Sequence, residues 1–181
     1  MRHLLYILVF VGLLSCEGPQ PRRPVKRSTT SAIQASIERS KKLLAAEEAL
    51  IQALIAKDST TQYVQSDTGS WFFYNKKNNV SDETAKPDDL VTMTYNVLSF
   101  TNDTLYSMQD IGIIKYKVDK QELFPGLRNA VKLLKENETA TFLFPSSLAY
   151  GIPGDGDKVG ISTPIKSTIA VLKIEKQQDS L

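Results

Sequence analysis

Cysteine and histidine are nearly missing from this chain, which has one of each in 181 residues. Both sit at the N-terminus, as His3 and Cys16. Removal of a leader, argued below, discards His3 and leaves the Cys16 sulfur capped. Cys/His pairs, Ser/His/Asp triads and Cys/His metal sites then have no residues from which to be assembled. An excess of one charge is missing too: 22 Lys and Arg face 20 Asp and Glu, and a net charge of +2 supplies no basic field for nucleic acid. Nucleic-acid binding is set aside. Apolar runs of membrane-spanning length are also lacking, since Leu4 to Leu14 is too short for a mature spanning helix. Length and composition suit one globular domain of ordinary size with appendages.

What is there begins with a processing segment. Arg2 gives a positive start, Leu4 to Leu14 an apolar middle, and Leu13-Leu14-Ser15-Cys16 resembles the bacterial lipobox, whose Cys is acylated. Residues 1–15 are therefore expected to be a lipoprotein signal peptide and Cys16 a lipidation site; a plain signal peptide with an incidental Cys is the other reading. Two or three acyl chains are needed, because one binds membranes only marginally. The body would then be lipid-anchored in the cell envelope, with Glu17 after the Cys pointing, by likeness to bacterial lipoproteins, to the outer membrane; a location facing the periplasm is expected, the exterior face being the other reading. Residues 16–30 read as a flexible tether, rich in Pro and basic residues with almost nothing to bury. Arg22, Arg23, Lys26 and Arg27 either graze anionic headgroups, at about 1 kcal/mol each near the surface, or only keep the tether solvated.

Residues 31–58 are expected to form a long amphipathic helix. Ile33, Ile37, Leu44, Ile51 and Ile55 lie near one face, Leu43, Leu50 and Leu54 widen it, and Asp58-Ser59-Thr60-Thr61 is its polar end. The stripe needs a cover. Two readings stand: packing on its own domain, or a partner-binding role such as a homodimer through this helix. Glu38, Arg39, Lys41, Lys42, Glu47 and Glu48 exclude a membrane span.

Residues 59–181 carry the main domain. Tyr63 to Tyr74 suits a strand with a Gly69-Ser70 break, with Trp71 expected in the core. Leu90 to Phe100 alternates Val91, Met93, Tyr95 and Val97 on one face, followed by shorter strands over Thr104–Ser107 and Ile113–Val118. Pro125 can open a helix that runs to about Lys135, burying Leu127, Ala130, Val131 and Leu134 at helical spacing. A polar turn at Asn137 and Glu138 precedes a strand through Phe142 and Phe144 that Pro145 ends, and a loop then carries Tyr150. Thr168 to Ile174 closes the sheet, with Ile169, Val171 and Lys173 on one face and Ala170, Leu172 and Ile174 on the other. Asp82, Glu83, Asp88 and Asp89 read as solvated charge. Gly154-Asp155-Gly156-Asp157 reads as a polar turn, since it lacks the spaced ligands and closing Glu of a calcium loop. The fold class is α+β: a curved antiparallel sheet wrapped around one short helix, preceded by the long N-terminal helix.

Leu123-Phe124-Pro125-Gly126-Leu127, a helix, a strand ending at Pro145, then Leu148-Ala149-Tyr150-Gly151 resembles the signature of the FKBP-type peptidyl-prolyl isomerases. The likeness extends from about Tyr63 to Lys176. With the leader, the chain is similar to the gliding-motility-associated isomerase lipoproteins of that family. The resemblance implies a cavity between sheet and helix lined by Tyr95, Tyr106, Ile114, Leu123, Phe124, Leu127, Tyr150 and Val171. Val171 assumes one inserted residue between Pro164 and Ser167; Ile161 is the other position. Catalytic roles fall to Tyr150, Phe124 and Tyr95, the Tyr150 hydroxyl and the Phe124 N–H holding substrate carbonyls. The remaining five residues would bind substrate. Three positions depart from the family pattern: Ser107 where Asp is usual, Leu127 where Trp is usual, and Val171 where an aromatic is usual.

The implied reaction is rotation of X-Pro bonds in protein substrates. Its barrier is about 18–20 kcal/mol, and the twisted transition state loses amide resonance and is less dipolar than the planar forms. An apolar site that binds the twisted geometry better than either planar isomer accelerates exchange without acid, base, metal or cofactor. Missing His and Cys are no obstacle. The expected function is an envelope isomerase assisting the folding of gliding or secretion proteins. The alternatives are a catalytically weak FKBP-like binding module in that machinery, and a scaffold lipoprotein.

Overall fold

The computed structural model describes residues 29–177. The expected signal peptide over 1–15, the lipidation position Cys16 and the tether as far as residue 28 lie outside the described residues. The chain divides into two compact units, Met1–Ile37 and Glu38–Leu181.

Helix α1, Thr29–Lys57, starts two residues inside the expected tether. It stops where Asp58 takes over the chain: its Oδ1 accepts from the Thr60 N–H at 3.3 Å and its Oδ2 from the Tyr63 hydroxyl at 3.2 Å. No described helix is long and apolar enough to cross a membrane. The apolar stripe is only partly covered. Ile51 is fully buried, whereas Ile33 (53%), Ile37 (50%) and Leu44 (49%) stay exposed.

The strands are β1 (Val64–Gln65), β2 (Trp71–Lys76), β3 (Leu90–Tyr95), β4 (Val97–Leu98), β5 (Thr104–Tyr106), β6 (Ile114–Lys117), β7 (Thr139–Phe144) and β8 (Ile165–Glu175). Their order is β1-β2-β7-β8-β3-β6, with β4 pairing both β5 and β8. Neighbours run antiparallel throughout. The short helix α2 (Met108–Ile111) follows β5, α3 (Pro125–Leu133) precedes β7, and a 3₁₀ turn (Ser146–Leu148) follows it.

Helix α3 buries Gly126, Leu127, Ala130 and Val131 against the sheet. Its spacing explains this, since one stripe faces in while Arg128 and Lys132 face out. A fully buried Leu or Val contributes roughly 1.5–3 kcal/mol. Gly126 sets how close the helix comes: a Cβ there would lie 2.6 Å from Phe144 Cδ1 and 2.8 Å from the Leu148 carbonyl oxygen. The helix ends about two residues sooner than its periodicity suggests, with Leu134 extended at φ −96°, ψ 143° yet fully buried.

Strand β7 is covered on both faces. Ala140, Phe142 and Phe144 join the main core under α3, and Phe72 stacks on Phe142 at 4.9 Å. Leu143 points the other way and, with Ile51, is buried outside that core. The second half of α1 covers this face: Trp71, paired with Leu143, donates its Nε1–H to Glu48 Oε1 at 3.3 Å. Trp71 is thus half-buried under α1 rather than in the core, the place taken by Phe72.

Strand β8 departs from simple alternation. A bulge where Thr92 pairs Lys173 but Met93 pairs Val171 puts Leu172 and Lys173 in solvent and packs Ile174 against the core. Asp89, expected in solvent, is buried, and so is Glu138 of the expected polar turn. Glu138 accepts from the Asn78 N–H at 3.0 Å and the Lys135 N–H at 2.9 Å, and Asp89 from the Lys86 N–H at 2.8 Å and the Gln177 N–H at 2.9 Å. In each pair one donor is local, three residues back, and the other, the Asn78 or the Gln177 N–H, is brought in by the fold, which sequence spacing does not reveal.

Candidate active site

Phe124 is the hub of the site. It is the N-cap of α3, where the first N–H groups of a helix have no partner along the helix, and Pro125 brings no N–H of its own. Its ring lies 6.0 Å from Tyr95, 5.2 Å from Tyr150 and 5.7 Å from Phe144. These rings come from the end of β3, the turn after the 3₁₀ segment, and the end of β7. The fold therefore joins four rings that are far apart in sequence.

Tyr150 is held by its backbone. Pro145 stops β7, the Leu148 N–H donates to the Pro145 carbonyl at 2.9 Å, and the Gly151 N–H donates to the Ser146 carbonyl at 2.8 Å. Gly151 itself sits at φ 68°, a region that costs other residues strain. The phenol is half-buried, and burial first, then the nearby Tyr95, Asp155 and Tyr106, push its pKa well above the usual value. Among the described residues its hydroxyl makes no hydrogen bond, so the donor remains protonated and unspent. Burial likewise raises Tyr95.

Tyr106 differs. Its hydroxyl donates to Asp155 Oδ2 at 2.6 Å and approaches Asp157 Oδ2 at 3.3 Å, and Lys158 Nζ lies 4.8 Å over its ring. The bond to Asp155, with desolvation behind it, pushes this phenol up to about 12. Burial alone would raise Asp155, but the bonds from Tyr106 and from the Asp157 and Val159 N–H groups hold it below the usual carboxylate value. Asp155 is the residue that sequence reasoning passed over as part of a polar turn. It does cap that turn, and its second oxygen also faces the site.

Of the other expected residues, Leu123 and Ile114 are partly buried against the core, while Leu127 and Val171 are buried at 0% and 1% exposure. Leu127 lies beneath the site without an open face. Val171 pairs with Met93, two residues before Tyr95, whose own partner is Ile169, and it is buried in the same core against which Tyr95 packs. Ile161 is 76% exposed, in the loop whose Ser162 N–H donates to the Gly151 carbonyl at 3.1 Å. Beside Leu123, Phe124, Ala149 and Tyr150 lies an open depression of about 500 Å³. A larger one, about 790 Å³, is lined by polar residues such as Asp82, Lys86 and Lys176 and includes none of these aromatics. Among the described residues no group of His, Cys, Asp and Glu is arranged to hold a metal.

The sequence profile of the FKBP-type peptidyl-prolyl cis-trans isomerase family matches residues 81–172, just over half of the chain. The chain belongs to this FKBP-type family. A probable FKBP-type peptidyl-prolyl cis-trans isomerase FkpA from Neisseria meningitidis is 28% identical over 127 residues, which are 70% of this chain. The match spans 44% of that relative, less than half its length. Among solved structures, FkpA from Escherichia coli superposes with a TM-score of 0.60 at 17% identity, covering 97% of this chain and 82% of that one. A peptidyl-prolyl cis-trans isomerase from Pseudomonas syringae gives 0.58 at 16%, covering 76% and 96%. The N-terminal domain of FKBP42 from Arabidopsis thaliana gives 0.58 at 14%, covering 66% and 96%. At such identities the likeness is one of fold.

Within the FKBP-type frame the departures at the rim acquire a physical description. Ser107 cannot supply a carboxylate, and its side chain is used locally: Oγ accepts from the Asp110 N–H at 3.1 Å and caps α2. The carboxylate nearest Tyr106 comes instead from Asp155, across the loop that follows Tyr150.

Proposed function

We propose that the chain is a peptidyl-prolyl cis-trans isomerase working on proline-containing proteins in the cell envelope. The single observation that carries the reading is the cluster of Phe124 with Tyr95 and Tyr150, which sets an unspent phenol beside the opening of α3. In this reading Tyr150 donates to a substrate carbonyl, the Phe124 N–H holds a second one, and the rings of Tyr95, Phe124 and Tyr150 pack on the proline. Tyr106, Ile114 and Leu123 border the bound chain, Leu127 supports it from below, and Val171 acts through the core. The transition state is favoured because an amide twisted out of conjugation is less dipolar and suits apolar surroundings better than the planar ground state.

The leader supports anchoring through lipid on Cys16, with the domain facing the periplasm from the outer membrane and acting on gliding or secretion proteins. The uncovered Ile33, Ile37 and Leu44 support a homodimer through α1. A second reading, a catalytically weak FKBP-like binding module in that machinery, is favoured by Ser107 and by Leu127, which offers less ring surface to proline than Trp would.

The test is exchange of an X-Pro peptide, followed by a protease-coupled assay or by NMR. Acceleration above buffer that scales with protein supports the enzyme. Folded protein without acceleration removes that reading and leaves the binding module, which peptide titration then decides.

A further inference from the structure

Glu47 is a buried carboxylate that the proposed reaction leaves unused. It lies on α1, ahead of the family match that starts at residue 81. At 5% exposure it faces Ser146, itself 4% exposed. Its Oε2 accepts from the Ser146 N–H and its Oε1 from the Ser146 hydroxyl, both at 2.7 Å, across 99 residues of sequence.

Ser146 opens the 3₁₀ turn, where an N–H has no partner along the helix. The residue before it, Pro145, makes no side-chain cap. The missing cap is supplied from α1. On its other side, the Ser146 carbonyl accepts from the Ala149 N–H at 3.0 Å and the Gly151 N–H at 2.8 Å, the two residues that flank Tyr150. One carboxylate therefore fixes the N–H and hydroxyl of Ser146, a residue whose carbonyl, in the next peptide unit, accepts from both neighbours of the phenol. Helix α1 is itself held at this level by Glu48 on Trp71 and by Ile51.

We infer that Glu47 is a positioning residue for Tyr150, acting through Ser146, so that α1 is a working part of the site and not only an extension before it. The inference rests on the isomerase reading for its effect on rate, but its effect on the turn can be read without any activity.

The experiment uses the full chain and its Glu47→Gln variant, a near-isosteric change whose amide nitrogen cannot accept. Hydrogen exchange at the Ala149 and Gly151 amides is expected to quicken about tenfold or more relative to β3 and β8 amides. kcat/KM on an X-Pro peptide is expected to fall by up to about tenfold, as the positioning of Tyr150 loosens. Ile51→Ala is the control: it loosens α1 but keeps the carboxylate, and should leave the ratio of turn to sheet exchange as in the parent. Ser146→Ala, which removes only the hydroxyl bond, should fall between parent and Glu47→Gln, and decides the matter if Glu47→Gln does not fold. Parent-like exchange at both amides in whichever variant folds, or an equal effect in Ile51→Ala, overturns the proposal. If the parent chain shows no isomerisation, the proposed activity falls while the exchange data still judge the turn.

Discussion

Tyr150 is one of seven tyrosines in the chain, and its position gives its hydroxyl a role that composition cannot. The hydroxyl makes no bond within the described chain, so Tyr150→Phe should leave the unfolding midpoint unchanged. The same change should lower kcat/KM by up to about tenfold, since one neutral hydrogen bond to a substrate carbonyl contributes about 0.5–1.5 kcal/mol. Unchanged kinetics would remove Tyr150 from the mechanism. The titration behaviour leads to a second expectation. Tyr150 and Tyr106 have raised pKa values and stay protonated, and Asp155 has a lowered one and stays ionised. None of these three groups changes charge between about pH 5 and 9, so kcat/KM should be flat there when followed by NMR exchange. A bell-shaped profile would mean that acid–base chemistry takes part. The fold sets the rings of Tyr95 and Tyr150, two residues named by the resemblance, against that of Phe124, the third. Asp155 escaped the resemblance because its relation to Tyr106 is a contact across the loop, not a spacing.

Helix α3 and strand β7 meet at Gly126. Alanine is favoured over glycine in a helix by about 1 kcal/mol, which would ordinarily make Gly126→Ala stabilising. Here the added methyl meets the Phe144 ring at 2.6 Å and the Leu148 carbonyl at 2.8 Å. Overpacking of this kind costs about 1–3 kcal/mol, so Gly126→Ala should lower the urea midpoint, and a raised midpoint would show that β7 yields. Because Phe144 also touches Phe124, the variant should disturb the site more than its loss of stability alone. Helix α1 shows the limit of periodicity. Its stripe is regular in sequence, yet Glu47 and Ile51 are buried while Leu44 and Leu50 are not. The covered patch is chosen by where Trp71, Leu143 and Ser146 present a surface, and a carboxylate is buried because two donors await it.

At the scale of the molecule, the chain is closed by carboxylates reaching across it. Asp89 gathers the loop before β3 and the end of β8 through Lys86, Lys176 and Gln177. Burial alone would raise its pKa, but these donors hold it below its ordinary 3.8. A folded-state pKa depressed in this way gives stability that is present above the unfolded value and lost as pH falls through the folded one. Asp89→Asn should therefore cost about 1–3 kcal/mol near neutrality and progressively less below about pH 4. A gap between parent and variant that stayed constant from pH 7 to 3 in urea titrations would contradict this. If α1 pairs with a second copy, Ile33→Glu with Ile37→Glu should halve the sedimenting mass without changing the sheet's circular dichroism; a parent that already sediments as a monomer would end the dimer proposal. The sequence by itself determined the α+β class and the main strand and helix stretches, because alternation, helical spacing and Pro and Gly punctuation are local properties of the chain; the aromatic set around Phe124 came only from the family resemblance. The tertiary structure alone decided that Trp71 lies under α1, that Ile174 turns inward after a bulge, and that Glu47, Asp89, Glu138 and Asp155 have structural partners. Whether a carboxylate is solvated or capped depends on which distant N–H or O–H groups arrive beside it, and only the folded chain brings them there.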